Sequence, residues 1–277
     1  MNEVVVITGA GGMGAACARR LGSGRTLVIA DVDQGKLEHE GKQLTDEGFD
    51  VVLAQVDVSD PASVGELVST VSRAGALRTL VHTAGLSPTM ATAARVLEVD
   101  MLGTEQVLAG FLTLASQGTV AVCIASMAGY MAGLSRSQEH ALASVSADQL
   151  LPTVGSVDDL PFGAAYGIAK RVNQLRVEQA ATTWGQKGAR VVSISPGVIS
   201  TAMGREEMEQ GAGETMQQLL DLSPIHRMGT ADDIAAAVEF LASPAASFIT
   251  GCDLRVDGGV TAAIFGLGLG LELDVEQ

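Results

Sequence analysis

The sequence predicts an α/β fold, one doubly wound parallel sheet of about seven strands with helices on both faces. Three observations carry that expectation. Short β-branched runs alternate with longer segments of helical period along the 277 residues. The composition is 47% hydrophobic with only 3% aromatic, so Ala, Val, Leu and Gly fill the core and suit helices packed closely on a parallel sheet. A glycine-rich turn, Gly9-Ala10-Gly11-Gly12-Met13-Gly14, follows the first apolar run directly.

In order, strands are expected near Val4–Thr8, Thr26–Ala30, Val51–Gln55, Thr79–Thr83, Thr119–Ala125, Arg190–Ser195 and Asp253–Val256. Helices are expected between them, at Met13–Leu21, Gly35–Glu47, Ala62–Ala74, Ala164–Trp184 and Ala231–Leu241. The third has a clear start, with Asp60 as N-cap and Pro61 in the first turn. No composition shift or internal repeat divides the chain, so residues 1–277 read as a single domain. One region breaks the alternation. From Tyr130 to about Phe162 the chain carries Ser, Gly, Asp and two prolines, with room for a helix of its own around Gln138–Leu151.

The turn after the first strand has a chemical reading. It brings backbone N–H groups towards a pyrophosphate, and the helix that follows adds partial positive charge. Glycines allow positive φ and remove side chains that would block the approach. This is the dinucleotide-binding arrangement of a Rossmann fold, with Gly9, Gly12, Met13 and Gly14 as cofactor-binding positions. The second strand ends in Asp31, placed to accept hydrogen bonds from the ribose hydroxyls of NAD and to repel the 2′-phosphate of NADP. Asp33 adds negative charge, and no Arg or Lys lies in the turn or just after Asp31. NAD is therefore the expected cofactor.

Composition narrows the partners. A formal net charge of −15 disfavours nucleic acid, because an acidic surface repels phosphate backbones. Cys17, Cys123 and Cys252 stand apart in apolar runs and read as buried free thiols of a reducing cytosol. The four histidines, His39, His82, His140 and His226, lack ligand spacing, so no metal is expected. The N-terminus enters a strand without a basic leader, and the apolar stretch Thr261–Leu271 is too short to span a bilayer. A cytoplasmic protein without a membrane partner is the expectation.

Further markers now fall in order: Asp57-Val58, Ala84-Gly85, Ser126, Tyr166 with Lys170, Pro196-Gly197 with Thr201, and Asp257-Gly258-Gly259. With the glycine turn, they make the chain resemble the short-chain dehydrogenase/reductase family over almost its whole length. The resemblance implies roles at the matching positions. Asp57 and Val58 would sit against the adenine, the Asp57 carboxylate facing its amino group. Ala84 and Gly85 would lie beside the adenosine ribose. Val198 and Thr201, after Pro196-Gly197, would hold the nicotinamide carboxamide and the pyrophosphate. The activity implied is hydride transfer between the nicotinamide and a carbinol or carbonyl carbon.

Tyr166 and Lys170 stand at i and i+4 of an expected helix, hence on one face. A phenol with an ordinary pKa near 10 is a poor base at neutral pH. A nearby ammonium favours the phenolate, which then exchanges a proton with a substrate oxygen. Ser126 would donate a hydrogen bond to that oxygen, and Lys170 would also bind the nicotinamide ribose.

Three features depart from the family pattern. The glycine turn is one residue shorter than T-G-x-x-x-G-x-G and also fits G-x-G-x-x-G through Gly11 and Gly14, which leaves open which glycine meets the phosphates. Asp100 stands where the family usually has Asn, and is counted among the catalytic residues. If close, it would stabilise a charged Lys170 while placing negative charge near the phenolate, altering the pH optimum or slowing the enzyme. Finally, the irregular segment at about 130–162 separates Ser126 from Tyr166 far more than is usual. A similar insertion occurs in members resembling bacterial 3α-hydroxysteroid dehydrogenase/carbonyl reductase. Its Leu134, Leu142, Leu150, Leu151 and Val154 suggest a cover for a hydrophobic substrate; an oligomer-interface element is the alternative.

The leading expectation is thus an NAD-dependent dehydrogenase or reductase of a hydrophobic, possibly steroid-like, secondary alcohol or ketone. A dehydrogenase of a small polar or sugar alcohol, and a non-catalytic NAD(H) sensor, are the alternatives. The family resemblance also implies a homo-oligomer, tetramer or dimer, with the Tyr166 helix commonly at a subunit interface.

Overall fold

The structure, a computed structural model, describes residues 2–157, 160–201, 204 and 213–268. Seven parallel strands form one sheet in the order β3-β2-β1-β4-β5-β6-β7. They are β1 (Glu3–Thr8), β2 (Thr26–Asp31), β3 (Asp50–Gln55), β4 (Ala76–His82), β5 (Val120–Ile124), β6 (Arg190–Pro196) and β7 (Asp253–Val256). Each lies within a few residues of its sequence-based position.

The two-residue period of the strands splits the core into two layers. Val5, Ile7, Leu27, Ile29, Val122 and Ile194 face one side, where α1 (Gly12–Leu21) and the helix Ala231–Ala242 pack through Cys17, Ala18, Ile234 and Val238. Val4, Val6, Val28, Leu80 and Ala121 face the other. There they meet α3 (Pro61–Ala74), α5 (Gly103–Phe111) and α8 (Ala164–Gly185), which contributes the fully buried Trp184. Helix α2 (Gln34–Asp46) follows β2, and α3 starts as expected, with the Asp60 side chain accepting from Ala62 N–H and Pro61 in the first turn.

The helix before β5 is irregular. A short α4 (Ala93–Val96) runs into a π-helical turn, Leu97–Leu102, and then into α5. In the turn the Gly103 N–H reaches back to the Glu98 carbonyl, five residues earlier. That extra residue rotates Asp100 inward, where it is fully buried.

The expected single helix around Gln138–Leu151 is two helices, α6 (Arg136–Ser144) and α7 (Ala147–Val154). A Ser135–Gln138 capping box opens α6, and Val145 breaks the pair with extended backbone. Two arginines of α8 fix them. Arg171 Nε donates to Glu139 at 2.6 Å, and Arg176 donates to the Ala143 and Val145 carbonyls at 3.2 and 2.5 Å. Residues 158 and 159 of the segment lie outside the described residues.

One expectation about cysteine is corrected. Cys17 and Cys123 are buried, but Cys252 is exposed because it precedes β7, the edge strand. Among the described residues, no helix is long and apolar enough to cross a membrane.

Leu142 and Leu150 of α6 and α7 are buried with Leu97 and Met101 of the π-turn and Ala165, Ile168, Ala169 and Val172 of α8. These two leucines therefore belong to the core and do not cover a substrate. Leu150→Ala is expected to cost about 3 kcal/mol, seen as a lower urea midpoint at unchanged slope. A segment that only covered substrate would leave the midpoint in place and raise KM.

Candidate active site

Gly9, Asp31, Asp57, Ala84, Ser126 and Pro196 stand at or just after the C-terminal ends of the parallel strands, whose order reverses between β1 and β4. At the end of β1, Gly9 has φ +91°, and a Cβ there would stand 2.6 Å from the Thr83 hydroxyl. A Cβ on Gly14 would stand 2.0 Å from the Gly9 carbonyl. These two glycines are required by the fold itself. Gly11 and Gly12 are exposed, with nothing near the Gly11 Cβ direction and only the Thr201 side chain, at 3.6 Å, near that of Gly12. A glycine cradle open at the N-terminus of α1 and faced by Thr201 fits a pyrophosphate. Met13, between Gly12 and Gly14, is half-buried against the core.

Asp31 closes this turn from the neighbouring strand. Its Oδ2 accepts from Ala10 N–H at 2.7 Å and its Oδ1 from Asp33 N–H at 2.9 Å. After β3, the Asp57 carboxylate is already engaged. Oδ1 accepts from the Ser59 N–H and hydroxyl, and Oδ2 pairs with Arg95 at 2.9 Å. Burial works against the Asp57 carboxylate, but Ser59 and Arg95 hold it below the ordinary range. Val58 turns its side chain into the core, where the space left by Gly103 receives it. Any contact it makes with a base therefore comes from its main chain.

Ser126 follows β5 and caps a short 3₁₀ turn, its Oγ accepting from Ala128 N–H at 3.2 Å. That leaves the hydroxyl hydrogen to donate elsewhere. The turn lies directly on α8, because Gly129 and Gly167 have no side chains: a Cβ on Gly129 would stand 2.9 Å from the Lys170 and Arg171 backbone. The turn that Ser126 opens thus packs on the helix carrying Tyr166 although α6 and α7 intervene in sequence. Lys170 Nζ lies 5.3 Å from the centre of the Tyr166 ring.

Behind Tyr166, Lys170 Nζ pairs with Asp100 Oδ2 at 3.0 Å, both side chains almost wholly buried. Nζ also donates to the Ile124 carbonyl at 3.4 Å, and Asp100 Oδ1 accepts from Leu86 N–H at 2.7 Å. Burial disfavours the ammonium, yet the facing Asp100 and the Tyr166 oxygen hold Lys170 above the ordinary lysine range. Gly85 lies against the pair, where a Cβ would stand 3.0 Å from Asp100 Oδ2 and 3.2 Å from Lys170 Nζ. Its neighbour Ala84 is half-buried at the end of the same segment.

Across the site, Pro196 ends β6, and Gly197 passes so close to Asp257 that a Cβ would stand 2.8 Å from its Cα. Asp257 accepts from Gly259 and Thr261 N–H groups at 2.9 and 3.0 Å, which fixes the Gly258-Gly259 turn. Val198 packs with Met127, Val260 and Ile264. Thr201 Oγ1 accepts from Gly204 N–H at 3.1 Å.

Residues 8–261 match the family described as Enoyl-(Acyl carrier protein) reductase. The chain belongs to the short-chain dehydrogenase/reductase family. Short-chain dehydrogenase/reductase bsc3 of Alternaria brassicicola is 35% identical over 94% of this chain and 96% of its own length. The cis-4-hydroxycyclohexanecarboxylate dehydrogenase of Sinomonas cyclohexanicum is 31% identical over 94% and 97%. The crystal structure of gox2181 superposes with a TM-score of 0.76 at 27% identity, over 94% of this chain and 96% of that one.

Sequence reasoning passed over four residues that shape this short-chain dehydrogenase/reductase site: His82, Arg95, Thr104 and Arg176. His82 alone had a visible signal, a polar residue ending the otherwise apolar run Leu80-Val81 before Thr83-Ala84-Gly85. Asp100 is the departure whose consequence is now measurable. Its negative charge opposes the phenolate that Lys170 favours. Asp100→Asn is expected to lower the inflection of the pH–rate profile for alcohol oxidation by about one unit. An inflection that stays or rises would contradict this.

Proposed function

We propose that the chain is an NAD(H)-dependent oxidoreductase acting on a hydrophobic, bulky secondary alcohol or the matching ketone. One observation carries the reading: a buried Lys170, paired with Asp100, lies 5.3 Å from the centre of the Tyr166 ring, on the helix against which the Ser126 turn packs. The nicotinamide, when bound, supplies the hydride acceptor or donor. The protein's share is positioning and proton movement. Ser126 donates a hydrogen bond to the substrate oxygen, Tyr166 takes or gives the proton, and Lys170 stabilises the phenolate and meets the ribose hydroxyls. Gly9, Gly12, Met13 and Gly14 form the pyrophosphate cradle. Asp57, Val58, Ala84 and Gly85 border the adenosine, and Pro196, Gly197, Val198 and Thr201 the nicotinamide end.

NAD is preferred over NADP on the strength of Asp31. Its carboxylate caps the cradle through Ala10, and a 2′-phosphate would meet both this charge and that of Asp33. The substrate class rests on the wall beside Ser126, where Met127, Val198, Leu219, Leu222, Val260 and Ile264 form one apolar cluster. A cavity of about 120 Å³ lies behind Gly197–Ile199, bordered by Leu219, Leu220 and Val260 and, on its polar side, by Ser223, Arg227, Asp233 and Asp257. The apolar cluster beside Ser126, rather than this mixed cavity, supports the hydrophobic substrate. The ring alcohol in the name of the Sinomonas relative is consistent with a bulky secondary carbinol.

We further read the protein as a cytoplasmic homo-oligomer. Three free thiols suit a reducing compartment. The family commonly offers the Tyr166 helix to a partner subunit, and here α6 and α7 cover part of it through Leu142 and Leu150. The edge beside β7, with Phe240, Phe248 and Leu254 exposed, is the apolar candidate.

The test begins with NADH and NADPH fluorescence titrations, followed by a panel of cyclic and open-chain secondary alcohols with NAD. Tyr166→Phe is expected to lower turnover roughly a thousandfold with little change in NADH affinity. Turnover that survives Tyr166→Phe, or its absence with every alcohol, would refute the reading. Asp31→Asn, which keeps an acceptor for Ala10, is expected to narrow the preference for NAD over NADP by about tenfold or more.

A further inference from the structure

We propose that His82 and Thr104 are positioning residues that hold the π-helical turn so that the Asp100 carboxylate stays on Lys170. The inference rests on the reading above in one respect, that Lys170 serves Tyr166.

The argument starts from register. Thr8 and His82 are paired residues at the C-terminal ends of β1 and β4, so their side chains meet on one face of the sheet. Thr8 Oγ1 lies 2.7 Å from His82 Nδ1, and His82 Nε2 lies 3.1 Å from Thr104 Oγ1. Thr104 Oγ1 donates to the Asp100 carbonyl at 2.7 Å. Because that hydroxyl has spent its hydrogen, it accepts from His82 Nε2–H, and Nδ1 then accepts from Thr8 Oγ1–H. One tautomer satisfies every member of the chain. His82 is fully buried, and burial, with the charge of Lys170 nearby, pushes its pKa down to about 3. It is a neutral rod at any working pH.

The place where this rod ends is the informative part. In a regular helix a Thr hydroxyl reaching its i−4 carbonyl competes with the backbone ladder. Here the ladder is already out of step, since Gly103 N–H bonds to Glu98. In that turn the Asp100 carbonyl takes the Thr104 hydroxyl. The segment from His82 to Leu86 therefore grips Asp100 twice. It holds the main chain through Thr104 and the carboxylate through Leu86 N–H. Thr83 extends the grip to the cofactor turn, donating to the Thr8 and Gly9 carbonyls at 2.9 and 3.1 Å. The ionisable groups around Lys170 are Asp100, Tyr166, the neutral His82 and the buried Cys123, whose thiol burial pushes up to about 12. Of these, only Asp100 is a carboxylate, so its position sets how much of the lysine charge reaches Tyr166.

The test compares Thr104→Val, which removes the hydroxyl at similar volume, with Thr104→Ser, which keeps it. Thr104→Val is expected to lower the inflection of the pH–rate profile by about half a unit or more, the direction expected for Asp100→Asn. NADH affinity should stay within about twofold. Thr104→Ser should restore the wild-type profile. A role confined to packing would reduce stability in both without moving the inflection. An unmoved inflection in Thr104→Val, or one moved equally by Thr104→Ser, overturns the proposal. Should Thr104→Val not fold, His82→Gln against His82→Met makes the same comparison, since Gln retains a donor for Thr104. If the wild type turns over no alcohol, the functional reading fails while the proposal is still decided by carbon-13 carboxyl NMR. The titration of Asp100 displaced in Thr104→Val and restored in Thr104→Ser supports it; one unchanged in all three overturns it.

Discussion

The buried pair between Lys170 and Asp100 is the constraint around which the site is built. Two charges taken out of water are expensive, and a buried ion pair seldom repays its desolvation as stability. Its surroundings are arranged to make it tolerable. Leu86 N–H donates to Asp100 Oδ1, and the Ile124 carbonyl accepts from Lys170 Nζ. Gly85 leaves the room. The π-turn brings Asp100 inward, braced by the His82–Thr104 chain on one side and by Leu142 and Leu150 on the other. The return on this arrangement is a charge that stays fixed behind Tyr166.

The same pair explains why α6 and α7 matter so far from any cofactor contact. They pack on Leu97 and Met101 of the π-turn that carries Asp100, and on the α8 residues around Lys170. Arg171 and Arg176 tie them to α8 by charge and by the carbonyls at the end of α6. An element that looks like an addition to the active-site mouth is part of the frame behind it.

Much of this was legible in the sequence, for physical reasons that can be named. Buried parallel strands are continuous apolar runs, so β1, β2 and β6 announce themselves, and the Asp60-Pro61 start of α3 is written in two residues. Tyr166 and Lys170 share a face because their spacing is helical. What escaped depends on contacts between distant residues. A π-turn adds one residue to a helical period, and nothing local in Leu97–Leu102 marks it. Asp57 resembles an adenine contact, but its engagement by Arg95 joins residues 38 positions apart. His82 was set aside as a histidine without ligand spacing, and its role appears only when β1 and β4 are in register. The choice between Gly11 and Gly12 also needed geometry, because both are glycine and only Gly12 faces Thr201.

The central claim is that Lys170 is a buried ammonium held charged by Asp100. The chain has four lysines, Lys36, Lys42, Lys170 and Lys187, so their side-chain NMR signals are readily separated. A pH titration of these signals tests the claim most directly. Lys170 should keep its proton above the ordinary lysine range, and should lose that advantage in Asp100→Asn. A Lys170 that titrates below the ordinary lysine range in the wild type would contradict the account.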